Sequence, residues 1–267
     1  MRHPIPSLLA ACLCAALTAA AAAESFTDVV FVGGQSNAKS QLADGVEAAL
    51  RASGRFENLR VCVKRHGGVP IRFWLDGDLP PGHRRHPAQK GLAAPNWYQV
   101  DFMKAEGTPG PAAFLERVFA EERAAGRTPR LAGLVWFHGE SDSDHDKFVD
   151  AYRGRVAELR ARVARDFRGG DPVPTVLVRV AVEEAFLPET FGPKDPARAG
   201  RVERISAVQA AIAAEDPRVA AVDSKPYQRR DVWHVEWETR PVSPLGELGE
   251  ACGEALLGLH ASRGRGS

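Results

Sequence analysis

The sequence predicts an α/β domain built on a parallel sheet. Short apolar runs typical of buried strands alternate along the chain with longer stretches whose apolar residues recur at helical spacing. This alternation is the pattern of βαβ units, in which helices cover both faces of a parallel sheet. A length of 267 residues with 44% hydrophobic residues suits one domain with a sizeable core. We therefore expect a single domain with five parallel strands.

The first two strands and the helix between them are predicted in the amino-terminal part of the domain. Residues 28–32 form a mainly apolar run that ends at Gly33 and Gly34, and paired glycines permit a sharp turn out of a sheet. A helix is expected over residues 38–52. Residues 58–63 are expected to form the second strand.

A long irregular region precedes the third strand. Residues 64–109 are rich in Gly, Pro, His, Arg and Trp, and so long a loop in a compact domain is usually functional or flexible. Pro111 suits the first turn of a helix that is expected over residues 111–125. Residues 131–137 form the third apolar run, and residues 148–167 have the apolar spacing of an amphipathic helix.

The same alternation continues to the end of the chain. Residues 175–182 form a near-continuous β-branched run, which predicts the fourth strand. A helix over residues 202–212 then leads to a short fifth strand at residues 218–222. Residues 245–259 have the spacing of a last helix, and the Gly- and Arg-rich residues 261–267 are expected to be a flexible tail.

The amino terminus has the features of a secretory signal peptide. Within residues 1–23, Arg2 gives a basic start, an apolar run follows, and an Ala-x-Ala pattern ends near Ala23. The apolar run is too short and too rich in alanine for a membrane span. We expect cleavage near Ala23, an exported mature domain over residues 24–260 in the periplasm or the medium, and no stable membrane insertion.

Charge and cysteine content narrow the possible partners. A net charge of +1 gives no argument for nucleic acid. The chain has neither a Cys/His set with zinc-ligand spacing nor a nucleotide-binding glycine motif, so no metal and no cofactor is predicted. Cys62 and Cys252 remain after signal cleavage, and a disulfide and two buried thiols both fit the sequence.

Ser36 is the candidate nucleophile. It follows the first strand and its glycine pair, at the sheet edge where ligands bind in open α/β folds. A helix that starts there would aim free N–H groups and a positive dipole end at the substrate. A plain helix-capping role for Ser36 is equally compatible with this stretch alone.

Asp231 and His234 supply the other two groups that a serine nucleophile needs. A carboxylate three residues before a histidine can reach its Nδ1–H and leave Nε2 free for Ser36. The order Ser, Asp, His is one of several that build this geometry. An isolated pair of this spacing is more often a loop histidine and a cap, but its position after the fifth strand favours a role at the edge that carries Ser36.

Donors for a developing oxyanion are also available at this edge. The N–H of Ser36 is one candidate, and Gly67 or Gly68, after the second strand, lets a backbone N–H approach a substrate. The segment from His138 to Asp142 follows the third strand. Because each segment ends a different parallel strand, all are expected to converge at one edge.

These ordered blocks resemble the SGNH-type carbohydrate esterases, and most closely the sialate O-acetylesterase and acetylxylan esterase family. The blocks are residues 34–37, 67–74, 136–142 and 231–234. The resemblance implies a flavodoxin-like (SGNH hydrolase) α/β/α three-layer sandwich with a parallel five-stranded sheet. It also implies a metal-free serine esterase that removes O-acetyl groups from sialic acid, xylan or related glycans through an acetyl-enzyme.

The resemblance also implies roles for single residues. Ser36 would be the nucleophile, His234 the base and Asp231 its orienting group, a role for which Glu140 competes. His138 stands where the family usually has a glutamine that donates to the oxyanion; a neutral imidazole can make one such hydrogen bond. The residues expected to contact the substrate are Gln35, Asn37, Trp74 and Trp233.

Two other functions and one substrate feature fit the same residues. The triad could pass acetyl to a sugar hydroxyl, as in an O-acetyltransferase, and the change to His138 could mark a non-catalytic carbohydrate-binding protein. A basic cluster after the second strand is either solvated surface or a preference for an acidic sugar. Its members are Lys64, Arg65, His83, Arg84, Arg85 and His86.

Overall fold

A five-stranded parallel sheet forms the centre of the structure, a computed structural model that describes residues 25–75, 110–182, 195, 197–238 and 242–263. The strands are β1 (Phe26–Gly34), β2 (Leu59–Arg65), β3 (Thr128–Phe137), β4 (Thr175–Arg179) and β5 (Val219–Asp223). Their order is β2-β1-β3-β4-β5, with every neighbouring pair parallel. This is the flavodoxin-like strand order, and it confirms the predicted fold class.

Helices connect the strands. In the described residues they are α1 (Ser40–Ala52), α2 (Ile71–Leu75), α3 (Pro111–Ala124), α4 (Asp146–Arg168), α5 (Arg198–Glu215) and α6 (Pro244–Arg263), with a 3-10 turn at Ser141–Asp144. The β1–β2 connection runs one way along the sheet and the later connections run the other way. Right-handed crossovers therefore place α1 on one face and α3, α4 and α5 on the opposite face. Because α6 packs along α1, the sheet is covered on both sides.

Burial on both faces explains why the central strands are apolar along their whole length. Val29, Val30, Phe31 and Val32 of β1 are all fully buried. Alternating polar residues would leave charged or polar groups under one helical layer, so an unbroken apolar run is the pattern that a doubly covered strand requires.

Glycines allow the backbones of α1 and α6 to touch. A Cβ atom placed on Gly45 would lie 2.0 Å from the carbonyl oxygen of Gly246, and one on Gly249 would lie 2.3 Å from that of Leu42. No side chain fits between the helices at these points. The close contact brings the last helix against the first, on the face of the sheet that α1 covers.

Several boundaries differ from the sequence-based expectation. The helix after β1 begins at Ser40, not at residue 38, because residues 35–39 form a turn. The expectation that Ser36 begins a helix is therefore wrong. The last helix extends to Arg263, so residues 261–263 are helical and not part of a tail.

Other expectations fall on residues that the structure does not describe. These are the signal peptide at residues 1–23, the end of the tail at residues 264–267, and the basic residues His83, Arg84, Arg85 and His86. In the described part of the chain, no helix combines the length and the apolar character needed to cross a membrane.

The two cysteines among the described residues are free thiols. Cys62 lies on β2 and Cys252 on α6, and both are buried. Burial raises the pKa of the Cys62 thiol to about 12, so that thiol stays protonated at neutral pH. Of the two alternatives that fit the sequence, the structure has the buried thiols.

Candidate active site

The segments that follow β1, β2 and β3 meet at the carboxyl edge of the sheet. The N–H of His66, just past β2, donates to the carbonyl of Gly34 at 2.9 Å. The N–H of Gln35, just past β1, donates to the carbonyl of Phe137 at 2.9 Å. Backbone hydrogen bonds therefore continue beyond the strands and hold the three segments in register.

Ser36 lies in the turn between β1 and α1. Its side chain is half-buried, and its carbonyl oxygen accepts a hydrogen bond from Nη1 of Arg65 at 3.2 Å. The turn depends on Gly34, which has φ +145° and approaches the carbonyl of Phe137 so closely that a Cβ would lie 1.9 Å from that oxygen. A glycine is therefore required two residues before Ser36.

Gln35 ties this turn to the segment after β3. Its Oε1 accepts hydrogen bonds from the N–H groups of Gly139 at 3.0 Å and Ser141 at 3.3 Å. Its Nε2 donates to Oγ of Ser141 at 2.5 Å. The side chain is buried, so the expectation that Gln35 contacts the substrate is wrong.

Asn37 ties the same turn to the segment that carries His234. Its Nδ2 donates to the carbonyl of Trp233 at 2.9 Å and to Oε1 of Glu140 at 3.0 Å, while its Oδ1 accepts from the N–H of Val235 at 3.1 Å. Asn37 thus holds the backbone on both sides of His234. Since Asn37 is fully buried, it positions this segment and does not contact the substrate as expected.

Asp231 and His234 form the pair that the sequence predicts. Nδ1 of His234 lies 2.7 Å from Oδ2 and 3.0 Å from Oδ1 of Asp231. Oδ1 also accepts the N–H groups of Trp233 and His234, each at 2.8 Å. A carboxylate on Nδ1 fixes the tautomer with the proton on Nδ1 and leaves the Nε2 lone pair available.

The electrostatics of Asp231 favour its ionised form. Burial raises the pKa of this carboxyl, but hydrogen bonds from the His234 ring and from the N–H groups of His234 and Trp233 outweigh the effect, and the pKa lies below its usual value. An ionised Asp231 stabilises the imidazolium that forms when His234 accepts a proton.

Glu140 does not reach His234 directly. Its Oε1 accepts the hydrogen bond from Asn37, and its Oε2 is buried with no hydrogen-bond partner in the part of the chain that the structure describes. Burial also raises the pKa of the Glu140 carboxyl. Of the two groups that compete to orient the base, the geometry favours Asp231, because the hydrogen bond of Glu140 goes to Asn37 and that of Asp231 goes to the His234 ring.

His138 is turned into the interior. Its ring is fully buried, stacks on Trp136 with centroids 5.1 Å apart, and uses Nε2 to bond the carbonyl of Val69 at 2.9 Å. Nδ1 lies 3.3 Å from Oδ2 of Asp142. The ring N–H is thus committed to Val69, and the expectation that His138 donates to the oxyanion is wrong.

Gly67 and Gly68 remain accessible between buried neighbours. Gly68 has φ +71°, a left-handed conformation that favours glycine, and a Cβ on either residue would meet no atom of the described residues within 4 Å. The glycine pair therefore presents open backbone at the sheet edge. This geometry suits a backbone N–H that a substrate can approach.

Two of the predicted site tryptophans differ in exposure. Trp74 is buried against Trp136, with ring centroids 4.9 Å apart, so its expected contact with a sugar is wrong. Trp233 is half-buried, with the guanidinium carbon of Arg198 4.9 Å from its ring centroid. Of the four expected substrate contacts, only Trp233 keeps an accessible face.

A basic groove lies beside the Ser36 turn and His234. It has a volume of about 530 Å³, and Lys39, Lys64, Arg65 and Trp237 are among the residues that line it. Trp237 packs edge-on against His234 with centroids 5.7 Å apart, and Nζ of Lys39 lies 2.7 Å from the Trp237 ring centroid. The sequence interpretation missed Lys39, since no motif marks it.

The described residues hold no group of three or more His, Cys, Asp and Glu side chains that could bind a metal ion. The chemistry that these residues can perform is nucleophilic attack by a serine with a histidine base, a carboxylate that orients the base, and backbone donors nearby.

A solved structure with a TM-score above 0.5 agrees with the fold. A protein from Arabidopsis thaliana is 13% identical, with a TM-score of 0.54, over 86% of this chain and 97% of that one. A carbohydrate acetylesterase from Sinorhizobium meliloti is 12% identical with a TM-score of 0.47, over 88% of this chain and 100% of that one. An acetylxylan esterase from Geobacillus stearothermophilus is 13% identical with a TM-score of 0.47, over 87% and 95%.

No curated protein sequence matches the chain. A family model described as carbohydrate esterase, sialic acid-specific acetylesterase, matches residues 101–252, more than half of the 267 residues. The matched range contains Glu140, Asp231 and His234, while Ser36 precedes it. With the flavodoxin-like sheet and the paired Asp231 and His234 at its edge, this match shows that the chain belongs to the sialic acid-specific acetylesterase family of carbohydrate esterases and is a carboxylic ester hydrolase.

Proposed function

We propose that this protein hydrolyses O-acetyl esters on carbohydrates through an acetyl-enzyme on Ser36. The observation that carries the proposal is the Asp231–His234 pair, joined at 2.7 Å and held next to the Ser36 turn by the hydrogen bonds of Asn37. Asn37 follows Ser36 in the chain and hydrogen-bonds the residues on both sides of His234. The nucleophile and the base that we propose are therefore joined by one buried side chain.

The reaction follows from these positions. Nε2 of His234 accepts the Ser36 hydroxyl proton while Oγ bonds to the acetyl carbonyl carbon, and the resulting oxyanion accepts hydrogen bonds from the N–H of Ser36 and from Gly67 or Gly68. The ester bond then breaks, and the sugar oxygen leaves with the proton from His234. Water attacks the acetyl-enzyme by the same route, which releases acetate and restores Ser36.

The substrate that we propose is an acetylated acidic sugar. The family description names sialic acid, and the basic groove places Lys39 and Arg65 beside the Ser36 turn. A guanidinium and an ammonium group suit a sugar carboxylate.

We also propose that the enzyme acts outside the cytoplasm. The support is the basic and apolar pattern of residues 1–23, followed by a mature domain over residues 24–260. Expression of the full chain with its own amino terminus tests this point. Export predicts a secreted product whose sequenced amino terminus lies near residue 24, and an uncleaved cytoplasmic product contradicts it.

The deciding experiment measures acetate release from 4-nitrophenyl acetate, acetylated xylan and O-acetylated sialic acid. Ser36→Ala should lower turnover by roughly 10⁴-fold or more, as loss of a triad nucleophile does elsewhere. Ser262→Ala is the matched control, because Ser262 is exposed near the end of α6 and its hydroxyl donates to the carbonyl of Leu259 in the same helix. A wild type inactive on all three esters, or an active Ser36→Ala variant, contradicts the proposal.

Addition of an acceptor sugar separates hydrolysis from transfer. Free acetate as the only acetyl product supports the hydrolase. An acetylated acceptor that accumulates in a Ser36-dependent manner indicates an O-acetyltransferase instead.

A further inference from the structure

We propose that His138 and Asp142 form a neutral pair, with one proton held between them, that positions the Gly67–Gly68 backbone for oxyanion stabilisation. Both would be positioning residues, since neither touches the substrate. The inference rests on the proposed function, because it takes the glycine pair as the oxyanion donor. It assigns a role to two buried groups that the triad does not use.

The pair anchors the segment on the far side of the two glycines. Nε2 of His138 bonds the carbonyl of Val69 at 2.9 Å, and the N–H of Ile71 donates to both carboxyl oxygens of Asp142, at 3.1 and 3.2 Å. On the near side, the N–H of His66 is bonded to Gly34. Glycines have the greatest backbone freedom of any residue, so a fixed Gly67–Gly68 geometry depends on anchors of this kind.

The pair itself is held rigidly. The backbone carbonyl of His138 accepts hydrogen bonds from Oη of Tyr152 at 2.7 Å and from Nε2 of Gln209 at 2.9 Å. The ring is stacked on Trp136, and all of these side chains are buried. A displacement of the pair would break several buried hydrogen bonds at once, so it can act as a fixed reference for the glycine segment.

The hydrogen bonds define where the protons lie. The carbonyl of Val69 can only accept, so Nε2 of His138 carries a hydrogen. A neutral ring then has a lone pair on Nδ1, which faces Oδ2 of Asp142 at 3.3 Å. Nδ1 has no hydrogen-bond partner among the described residues, and a carboxylate oxygen 3.3 Å from its lone pair is repulsive. One proton placed between the two atoms removes both costs and leaves the pair uncharged as a whole.

Burial determines which partner holds that proton. Burial lowers the pKa of the His138 imidazole to about 3, and it raises the pKa of the Asp142 carboxyl well above its usual value. The hydrogen bonds to Val69 and from Ile71 oppose these two shifts, whereas the neighbouring titratable side chains add to them: Glu140 and Asp144 raise the pKa of Asp142, and His66 lowers that of His138. The proton therefore lies on Asp142, which donates to Nδ1.

Substitution of Asp142 gives the sharpest test. The amide of Asp142→Asn can still accept from Ile71 and donate to Nδ1, so the turnover number on 4-nitrophenyl acetate should stay within about threefold of the wild type. Asp142→Ala removes both contacts and should lower the turnover number roughly 10- to 100-fold, with KM within about twofold, because a displaced oxyanion donor affects the transition state alone.

Substitution of His138 gives a matched pair of variants. The amide of His138→Gln offers an N–H to Val69 and an oxygen to the protonated Asp142, so it should retain most of the turnover. His138→Leu has neither group and should show the same selective loss of turnover as Asp142→Ala.

A control separates positioning from general destabilisation. Thr27→Val, at the amino edge of β1, removes a buried hydrogen bond of 2.8 Å to Glu122 far along the strand from the site. It should lower the midpoint of thermal unfolding but leave the turnover number unchanged. Each variant is therefore assayed at a temperature where its circular dichroism shows it folded.

A readout without catalysis completes the test. Nitrogen NMR of ¹⁵N-histidine-labelled protein, with His138→Gln to assign the resonance, should show a neutral ring with its hydrogen on Nε2 between pH 5 and 8, as expected for a pKa of about 3. A protonated ring at pH 6 overturns the neutral pair. An Asp142→Asn variant that is as inactive as Asp142→Ala also overturns the neutral pair. An Asp142→Ala variant with wild-type turnover overturns the positioning role. A wild type without Ser36-dependent activity contradicts the proposed function instead.

Discussion

Asn37 is the residue on which the geometry of the site depends most. It follows Ser36 in the chain, and its amide bonds Glu140, the carbonyl of Trp233 and the N–H of Val235. One fully buried side chain therefore joins the segments after β1 and β3 to the segment of His234. A buried amide with all of these partners satisfied is strongly directional, which explains how these three segments are held in one arrangement.

Substitutions at Asp231 and Glu140 test which carboxyl orients the base. Asp231→Asn should lower turnover by roughly 10⁴-fold, because an amide on Nδ1 no longer stabilises the imidazolium and favours the wrong tautomer. Glu140→Gln should cost less than about tenfold, since its side-chain oxygen can still accept the hydrogen bond from Asn37. Steady-state kinetics on 4-nitrophenyl acetate measures both. Equal losses from the two substitutions would show that the assignment to Asp231 is wrong.

At the scale of elements, the close contact between α1 and α6 predicts that a glycine-to-alanine substitution destabilises the fold there and stabilises it at an open position of another helix. Gly249→Ala should destabilise the fold by about 2 kcal/mol or more, because the new Cβ would lie 2.3 Å from the carbonyl oxygen of Leu42. Gly154→Ala, at an exposed position of α4, should stabilise the fold by up to about 1 kcal/mol, because no described atom lies within 4 Å of the new Cβ and alanine favours helix. Urea unfolding measures both, and an unchanged Gly249→Ala variant would contradict the close contact.

The amino edge of the sheet contains a buried ion pair that predicts an acid-sensitive stability. A hydrogen bond from Arg127, with further hydrogen bonds from Arg60 and Thr27, lowers the pKa of Glu122 from 4.5 to about 2. Burial of the carboxyl opposes this shift but is outweighed. A carboxyl whose pKa is lower in the folded state than in the unfolded state stabilises the fold at any pH above its unfolded-state pKa. This contribution is lost as the pH falls through the folded-state pKa. We therefore expect up to roughly 3 kcal/mol to be lost between about pH 5 and 2.

Urea unfolding at a series of pH values measures this dependence. Glu122→Gln should remove the part of the slope that comes from this carboxyl, although the variant is less stable at neutral pH. Its matched control is Glu121→Gln. Glu121 precedes Glu122 in α3 and also pairs with Arg60, but its side chain is exposed. An unchanged pH slope in Glu122→Gln would show that the ion pair does not cause the dependence.

For the whole molecule, the basic groove predicts a preference for acidic substrates. Lys39→Gln should lower kcat/KM for an O-acetylated sialic acid about fivefold, since a partly exposed charge pair contributes about 1 kcal/mol. The same variant should leave neutral 4-nitrophenyl acetate unaffected. Lys147→Gln, at an exposed position in α4, is the control. Equal effects on the two esters would contradict a carboxylate in the groove.

The preference should also depend on pH. Burial lowers the pKa of Lys39 to about 8, and the nearby guanidinium groups of Arg65 and Arg230 contribute to the shift. Lys39 therefore loses its charge as the pH rises above about 8, and the wild-type preference for the acidic ester should decline there. The Lys39→Gln variant should show no such decline. Added salt should weaken the wild-type preference as well.

The sequence by itself determined the fold class, the approximate positions of the five strands, and the Asp231–His234 pair. These features are local: an apolar run shows a strand buried on both faces, and a spacing of three residues lets a carboxylate reach an imidazole. The start of α1 at Ser40 was misplaced because nothing local separates a five-residue turn from a first helical turn.

Only the tertiary structure decided which polar residues face the substrate and which hold the site together. Gln35, Asn37 and His138 have motif positions that suggest contact with the substrate, yet each is buried and bonded to segments that lie 69 to 198 residues away. The choice of Asp231 over Glu140, and of free thiols over a disulfide, was decided in the same way. Such contacts depend on how distant segments pack, and the local pattern that predicts a strand or a helix contains no information about them.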